Sequence, residues 1–312
     1  MTPDPARPVR IGTRGSPLAL AQAVETRRLL MAAHGWPEDA FAIVPVKTTA
    51  DRVQDRALRD IGGKGLFTKE IEDGLLDGTL DIAVHCVKDM PVLAPPGLVL
   101  DAYMTREDVR DAFISQAEGQ AGGLAGLPRG AVVGTSSLRR RAQLLHRRPD
   151  LRVVEFRGNV QTRLKKLSEG VAEATFLAMA GLNRLGMADL ARAPLAVEEM
   201  LPAVGQGALV IERREQDAAM AALIAPLHDA ATAGQMAAER AYLARLDGSC
   251  QTPIAGLAEI AGDRLRLRGE ILRPDGSERI ADEIAGPVAE GAALGEALAD
   301  RLLSRAPEDF FR

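Results

Sequence analysis

The chain has 312 residues, 46% of them hydrophobic and 3% aromatic, with 2 Cys and a formal net charge of -4. That length exceeds a single core and predicts two or three domains. Two thiols exclude a disulfide framework, no uncharged apolar run is long enough to span a membrane, and so few aromatics argue against a base-stacking nucleic-acid surface. The first ten residues contain no apolar h-region, so no secretion signal is expected and the reading is a cytoplasmic protein with reduced thiols. The four His, at 34, 85, 146 and 228, are scattered and show no metal-ligand spacing with a Cys.

Short apolar runs alternate with helical patterns through the first two thirds of the chain. Val9–Gly12 reads as a strand. Ser16-Pro17 follows as an N-cap with Pro at the first helical position, and the helix runs to His34, with Leu20, Val24 and Met31 on one face and Gly35 as its stop. Phe41–Val46 reads as a strand, residues 62–65 as a Gly-rich loop before a helix ending near Asp77, and Leu80–Val87 as a strand. Residues 119–130 form a Gly- and Ala-rich excursion. Ala131–Gly134, Leu151–Phe156 and Ala174–Leu177 then read as strands, with helices over Ser137–Arg148 and from the cap Asn159 to Ser168. This alternation predicts mainly parallel, doubly wound sheets in two α/β domains. From about residue 230 a helix over Ala233–Leu246, three alternating runs (Ile254–Ile260, Leu265–Ile271, Arg279–Ile284) and an Ala/Leu-rich helix predict a small α+β domain.

The basic residues are concentrated. Residues 129–166 carry nine Arg and two Lys against Asp150 and Glu155 alone, and Arg outnumbers Lys 33 to 6 over the chain. Guanidinium groups bind carboxylates bidentately and keep their charge when desolvated, so the pattern points to an anion site. Three clusters fall at predicted strand ends followed by helix starts: Thr13-Arg14-Gly15-Ser16, Thr135-Ser136-Ser137 with Arg139 and Arg140, and Arg157-Gly158-Asn159 with Arg163. Helix N-termini offer free N–H groups and a positive dipole end, and open α/β sheets bind ligands at the carboxyl ends of their strands, so a cleft shared by the two domains is expected. The bland reading is three unrelated capped helices. Lys88-Asp89 lies at a fourth strand end, where the Asp could stabilise a cation or pair with a neighbouring Arg. Cys86 alternates with Ile82 and Val84 and reads as a core thiol; Cys250, in a Gly-Ser loop, reads from its residues alone as incidental. Residues 62–65 fail the P-loop pattern, with Leu58 in place of the first Gly and Gly65 in place of the hydroxyl.

In order, these motifs resemble the porphobilinogen deaminase (hydroxymethylbilane synthase) family. They are Thr13-Arg14-Gly15-Ser16-Pro17-Leu18-Ala19, Gly62-Gly63-Lys64-Gly65-Leu66-Phe67, Val84-His85-Cys86-Val87-Lys88-Asp89 and Gly134-Thr135-Ser136-Ser137-Leu138-Arg139-Arg140. Arg157-Gly158-Asn159, Leu201-Pro202-Ala203-Val204-Gly205-Gln206-Gly207 and Gly248-Ser249-Cys250-Gln251 complete the set. Each is weak alone; seven collinear ones are specific. The resemblance implies an enzyme that condenses four porphobilinogen units head to tail on a covalent dipyrromethane primer, releases ammonia at each addition, and frees the linear tetrapyrrole by hydrolysis. It implies a monomer, and a fold of two periplasmic-binding-protein-like domains with a hinged cleft, 8–105 (re-entered by 206–226) and the Arg-rich 106–205, plus a small α+β domain at 229–312 that carries the cofactor Cys.

By the same resemblance Cys250 is the thioether anchor, and Asp89 is the carboxylate that contacts pyrrole nitrogens and stabilises the cation formed when ammonia leaves. Lys88, Arg14, Gln22 and Phe67 belong to the catalytic cleft. Ser16, Lys64, Lys88, Asp89, Thr135, Ser136, Ser137, Arg139, Arg140, Arg157 and Gly158 hold the cofactor, and Arg14, Arg157, Arg163 and Arg184 hold substrate carboxylates. No metal is expected. The chain departs from the family pattern at Cys86, where Ser is commoner, and at Ala50, where a Gly is usual. Two other readings of the Arg clusters stand beside this one: a non-catalytic anion-binding protein, which gives Asp89 and Cys250 no role, and a nucleic-acid binder, which the negative charge and scarce aromatics weaken.

Overall fold

The computed structural model describes residues 4, 6–49, 68–115, 123–191, 194–248 and 252–311. In chain order the strands are β1 (Val9–Arg14), β2 (Phe41–Val46), β3 (Ile82–Cys86), β4 (Leu98–Tyr103), β5 (Asp111–Ser115), β6 (Val132–Gly134), β7 (Arg152–Val154), β8 (Ala174–Ala178), β9 (Leu209–Arg214), β10 (Ile254–Ala261), β11 (Arg264–Leu272) and β12 (Arg279–Pro287). The helices are α1 (Pro17–His34), α2 (Lys69–Leu76), α3 (Leu138–Arg147), α4 (Val160–Ser168), α5 (Met179–Arg184), α6 (Ala218–Ile224), α7 (Ala230–Arg245) and α8 (Gly291–Leu303). They divide between two compact units, Met1–Glu107 with Ala208–Ala233, and Asp108–Gly207 with Gly234–Arg312.

The first unit is built on a five-stranded sheet of order β2-β1-β3-β9-β4. The three strands β2, β1 and β3 run parallel, as the strand–helix alternation requires. β9 pairs antiparallel with both β3 and β4. The sheet is thus mainly parallel, and its one antiparallel strand is supplied by residues more than a hundred positions away. Local alternation carries no information about a partner that distant.

α1 begins as its residues dictate. The Ser16 side chain accepts from the Ala19 N–H, Pro17 takes the first helical position, and Gly35 closes the helix in the left-handed region at φ 66°. Its buried face departs from the predicted one at Val24, while Met31 packs against the core. Val24 is 46% exposed, while Gln22, Ala23, Thr26 and Leu30 are buried. Small residues let the helix approach the sheet closely, and the buried polar groups are satisfied: Thr26 Oγ1 donates to the Gln22 carbonyl at 2.9 Å.

The second unit holds two sheets. In the first, of order β5-β8-β6-β7, β6 lies parallel to β7 and β8 while β5 is antiparallel to β8. In the second, β10, β11 and β12 form an antiparallel meander. α7 and α8 close over the meander through a core containing Tyr242, Leu265, Leu267 and Leu298. The sequence divides the chain into three parts. Contacts group the second and third in one unit, where Leu201 packs with Ala255 and Leu257.

A buried polar hub organises this unit. Asp111, at the start of β5, has no exposed surface. Arg139 and Arg140, on the first turn of α3, each donate to one of its oxygens at 2.7 Å, and Gln206 Nε2 adds a third bond at 2.9 Å. The second terminal nitrogen of each arginine reaches a carbonyl, Leu201 from Arg139 at 2.7 Å and Phe176 from Arg140 at 3.0 Å. Gln143 completes the set by exchanging two hydrogen bonds with the Leu201 backbone. Burial alone would raise the Asp111 pKa, but the two guanidinium groups outweigh it and hold the carboxyl well below the usual range.

Removing one member of a buried ion cluster leaves an uncompensated charge, at a cost of about 3–5 kcal/mol. Asp111→Asn should lower the unfolding free energy by about that amount, read from the urea midpoint at neutral pH. Because the folded pKa is depressed, the stabilisation is complete above the unfolded aspartate value of about 3.9 and is lost as pH falls through the folded value. The gap between parent and variant should therefore narrow in acid. A gap that stays constant to low pH would show that Asp111 is not held ionised.

Candidate active site

In the first unit the strand ends converge as the motifs predict. Arg14 closes β1, Ser16 caps α1, and Val87–Asp89 forms a 3-10 turn directly after β3. Arg14, Ser16, Gln22, Cys86 and Asp89 line one cavity, together with His85. Asp89 is exposed and Lys88 and Arg14 are half-buried, so one carboxylate stands among cationic and amide donors. Gln22, itself buried, donates from Nε2 to Cys86 Sγ at 3.0 Å. The placing of Cys86 in the core is thereby corrected. Alternation put it on the face of Ile82 and Val84, but it is the last residue of β3, where the sheet runs out and its half-buried thiol meets the cavity. The turn bearing Asp89 is held by the Val87 N–H donating to the Ala208 carbonyl at 3.0 Å.

In the second unit, α3 starts at its predicted cap, Ser137, whose side chain accepts from the Arg140 N–H. Thr135 Oγ1 accepts from Ser137 N at 3.2 Å, and Ser136 Oγ accepts from Phe156 N at 2.9 Å. All three hydroxyl oxygens thus accept from backbone, which leaves their O–H groups as donors at a helix N-terminus. Gly134 is required by contact: a Cβ there would lie 2.4 Å from the Phe156 ring.

Arg139 and Arg140 do not present their guanidinium NH groups outward. The carboxylate they hold is the protein's own Asp111, because the buried face of α3 turns toward β5. Their expected role toward a ligand is therefore carried beside a structural one, the binding of Asp111. Their Nε atoms are buried and have no hydrogen-bond partner among the described residues.

The neighbouring loop is cationic. Asn159 caps α4 by accepting from the Thr162 N–H at 2.8 Å, Arg163 Nε donates to the Gly158 carbonyl at 2.9 Å, and Lys166 Nζ donates to the Arg157 carbonyl at 3.0 Å. Gly158 has φ 122°, and a Cβ there would sit 2.6 Å from Thr162. Only glycine fits both constraints. Arg184 ends α5 and contacts the Gly207 carbonyl at 3.4 Å. Lys64, Phe67, Ala50 and Cys250 lie outside the described residues.

Asp111, Glu239 and Glu212 are buried acids that the sequence does not single out, although each has a structural partner. Asp111 holds the two arginines. Glu239 accepts from the backbone N–H groups of Gly205 at 2.7 Å and Ala258 at 2.8 Å. Glu212 meets His85 at 3.1 Å. Nothing local marks them, since each pairs with residues at least nineteen positions away. Among the described residues no cluster of His, Cys, Asp or Glu has the makings of a metal site, and no helix is long and apolar enough to cross a membrane.

Comparison with known proteins gives the family. The family described as porphobilinogen deaminase, dipyromethane cofactor binding domain, matches residues 9–222, and porphobilinogen deaminase, C-terminal domain, matches residues 233–304. A porphobilinogen deaminase of Paracoccus denitrificans (strain Pd 1222) is 67% identical over 309 residues, covering 99% of this chain and 98% of its own. One from Nitrobacter winogradskyi is 53% identical over 301 residues, covering 96% and 94%. Among solved structures, the Bordetella pertussis BvgS VFT2 domain overlaps 70% of this chain and 84% of its own at TM-score 0.41 and 16% identity. A Salmonella typhimurium periplasmic binding protein with high arginine specificity overlaps 73% and 94% at TM-score 0.40 and 13% identity. By both family matches and by near-full-length identity, the chain belongs to the porphobilinogen deaminase family.

Proposed function

We propose that the chain is a hydroxymethylbilane synthase, a transferase of porphyrin biosynthesis that condenses four porphobilinogen molecules head to tail, releases ammonia at each addition and frees the linear tetrapyrrole by hydrolysis. The observation that carries this reading is the first-unit cavity, where the Asp89 carboxylate stands with Arg14, Ser16 and Gln22. A ligand with acidic side chains and ring N–H groups needs both kinds of partner. Guanidinium, hydroxyl and helix N–H groups suit its carboxylates, and a carboxylate suits its N–H. The reading includes a cytoplasmic monomer that takes a small-molecule substrate and binds neither nucleic acid nor membrane.

The donor chemistry fits the dipyrromethane cofactor. Thr135, Ser136, Ser137, Arg157 and Gly158 of the second unit, and Ser16, Lys88 and Asp89 of the first, would hold it, with Lys64 and the thioether anchor Cys250 in segments outside the described residues. When bound, the cofactor supplies the pyrrole position onto which the first unit is added. Arg14, Arg157, Arg163 and Arg184 bind substrate carboxylates and align the reacting carbons. Lys88 adds positive charge beside them, while Gln22 and the cavity wall limit the approach; Phe67, assigned to the cleft by the resemblance, lies outside the described residues. Asp89 faces the positive charge that develops on the substrate as ammonia departs, and an aligned carboxylate stabilises that charge more than water does. Arg139 and Arg140 act indirectly, by fixing the start of α3 through Asp111.

Intact-protein mass spectrometry with peptide mapping tests the reading. A mass excess of two linked pyrrole units on the Cys250 peptide is expected. An unmodified chain that gains no mass from porphobilinogen would favour an anion-binding protein. Cys250→Ser should lose the mass excess; if it keeps it, Cys86 becomes the anchor. Asp89→Ala should fold and carry the cofactor yet lose elongation, by about a hundredfold or more in kcat. Gly158→Ala should displace Thr162 and the loop, costing on the order of 1–3 kcal/mol of stability and lowering the cofactor load, seen by thermal denaturation and mass.

A further inference from the structure

Behind the cavity wall lies a polar cluster with no part in the reading above. His85, on β3, is buried and lines the cavity. Its Nε2 lies 3.1 Å from Glu212 Oε2 on β9, with the two side chains 5% and 0% exposed. With the Glu212 oxygen as acceptor, Nε2 is the ring nitrogen that carries the hydrogen. Glu72, on α2, is buried in the same cluster. Burial foremost, with the Glu212 charge adding to it, pushes the Glu72 carboxyl above the usual range, against the opposing effects of Thr68 and His85. The second oxygen of each glutamate, Oε1, has no hydrogen-bond partner among the described residues.

Two buried glutamates around one imidazole form a costly arrangement, and apolar side chains of similar volume would hold the sheet as well. β3 and β9 are already joined by five register pairs, from Ile82↔Arg213 to Cys86↔Leu209. What the His85–Glu212 hydrogen bond adds is direction. A hydrogen bond from a carboxylate fixes both the tautomer and the orientation of an imidazole. His85 stands four positions before Asp89 on the same strand end, and the same distant segment grips the turn itself through Ala208.

We propose that Glu212 is a positioning residue for Asp89: by accepting the His85 Nε2–H it fixes the carboxyl end of β3 and the turn that presents the Asp89 carboxylate. The inference rests on the reading that Asp89 faces the reacting substrate. Misplacement of such a group by about 1 Å costs about a hundredfold in rate while leaving substrate binding to other side chains.

The test uses the full chain carrying its cofactor. Glu212→Gln keeps an acceptor oxygen in place; Glu212→Leu removes it. Both should retain the cofactor mass. Glu212→Gln is expected to keep kcat within about threefold of the parent. Glu212→Leu should lose about tenfold or more in kcat, with KM for porphobilinogen and thermal midpoint close to the parent values. Histidine 15N NMR should report the Nε2-protonated tautomer of His85 in the parent and in Glu212→Gln, and its loss in Glu212→Leu. A Glu212→Leu enzyme with parental kcat overturns the inference, as does one whose kcat falls only in step with stability or cofactor load. If Glu212→Leu does not fold, the comparison passes to His85→Gln, whose amide can still donate to Glu212, against His85→Phe. Retained kcat in the first and lost kcat in the second supports the inference; equal kcat in both overturns it. A parent enzyme that releases no ammonia from porphobilinogen overturns the functional reading and this inference with it, whereas a parent that turns over beside an unaffected Glu212→Leu overturns this inference alone.

Discussion

Asp111 has no contact with solvent, yet it is held ionised by two arginines that are themselves buried. An isolated charge in that place would be prohibitively expensive, so each of the three ions depends on the other two. The geometry that satisfies them also joins the parts of the second unit. Through Asp111, Arg139, Arg140 and Gln206, the start of β5 is tied to the first turn of α3, to the middle of β8 and to the segment 201–206. α3 cannot rotate about its axis without breaking the cluster. The hydroxyls of Thr135, Ser136 and Ser137 are therefore aimed by an ion cluster buried beneath them.

This arrangement separates two uses of arginine that composition alone merges. Over residues 129–166 the basic excess reads as a single anion-binding stretch. In the structure, Arg139 and Arg140 point inward and serve the frame, and Arg148 bonds to Asp150 and to the Leu124 and Leu127 carbonyls. Arg157 and Arg163 lie half-buried on the loop after β7 and at the start of α4, beside a glycine that no other residue can replace. The charge available to a ligand is thus smaller than the count suggests, and it is better directed.

What was legible in the sequence follows the range of the forces involved. Caps and stops are local. Ser16, Gly35 and Asn159 are legible because each acts within about one turn of its own helix. The strand ends that carry Arg14, Asp89 and Ser136 followed from the same local signals. The buried face of α1 was misjudged because apolar periodicity favours Val24. Close packing and the pairing of Gln22 with Cys86 instead select a face of small and polar residues. Cys86 was placed in the core because alternation cannot tell where a sheet stops. The buried acids were invisible for a different reason. A lone Asp or Glu in a sequence looks solvated, and only a partner brought from far along the chain makes burial tolerable. Pyrrole chemistry itself came from the collinear family motifs, since no spacing of Arg and Asp specifies a ring.

β9 shows why the order of the chain matters to the site. Had the first sheet been closed by a neighbouring segment, Asp89 would be set by local geometry alone. Instead the chain completes the second unit's first sheet and then returns, placing Ala208 against the turn and Glu212 under His85. Just before that return, Gln206 is bound to Asp111 and Arg184 meets the Gly207 carbonyl. The residues that fix the second-unit hub and those that fix the Asp89 turn are thus consecutive in one stretch, 201–212. The Leu201–Gly207 motif, which has little catalytic chemistry of its own, gains its meaning there. It is the point where the frame of one unit ends and the support of the other's Asp89 turn begins.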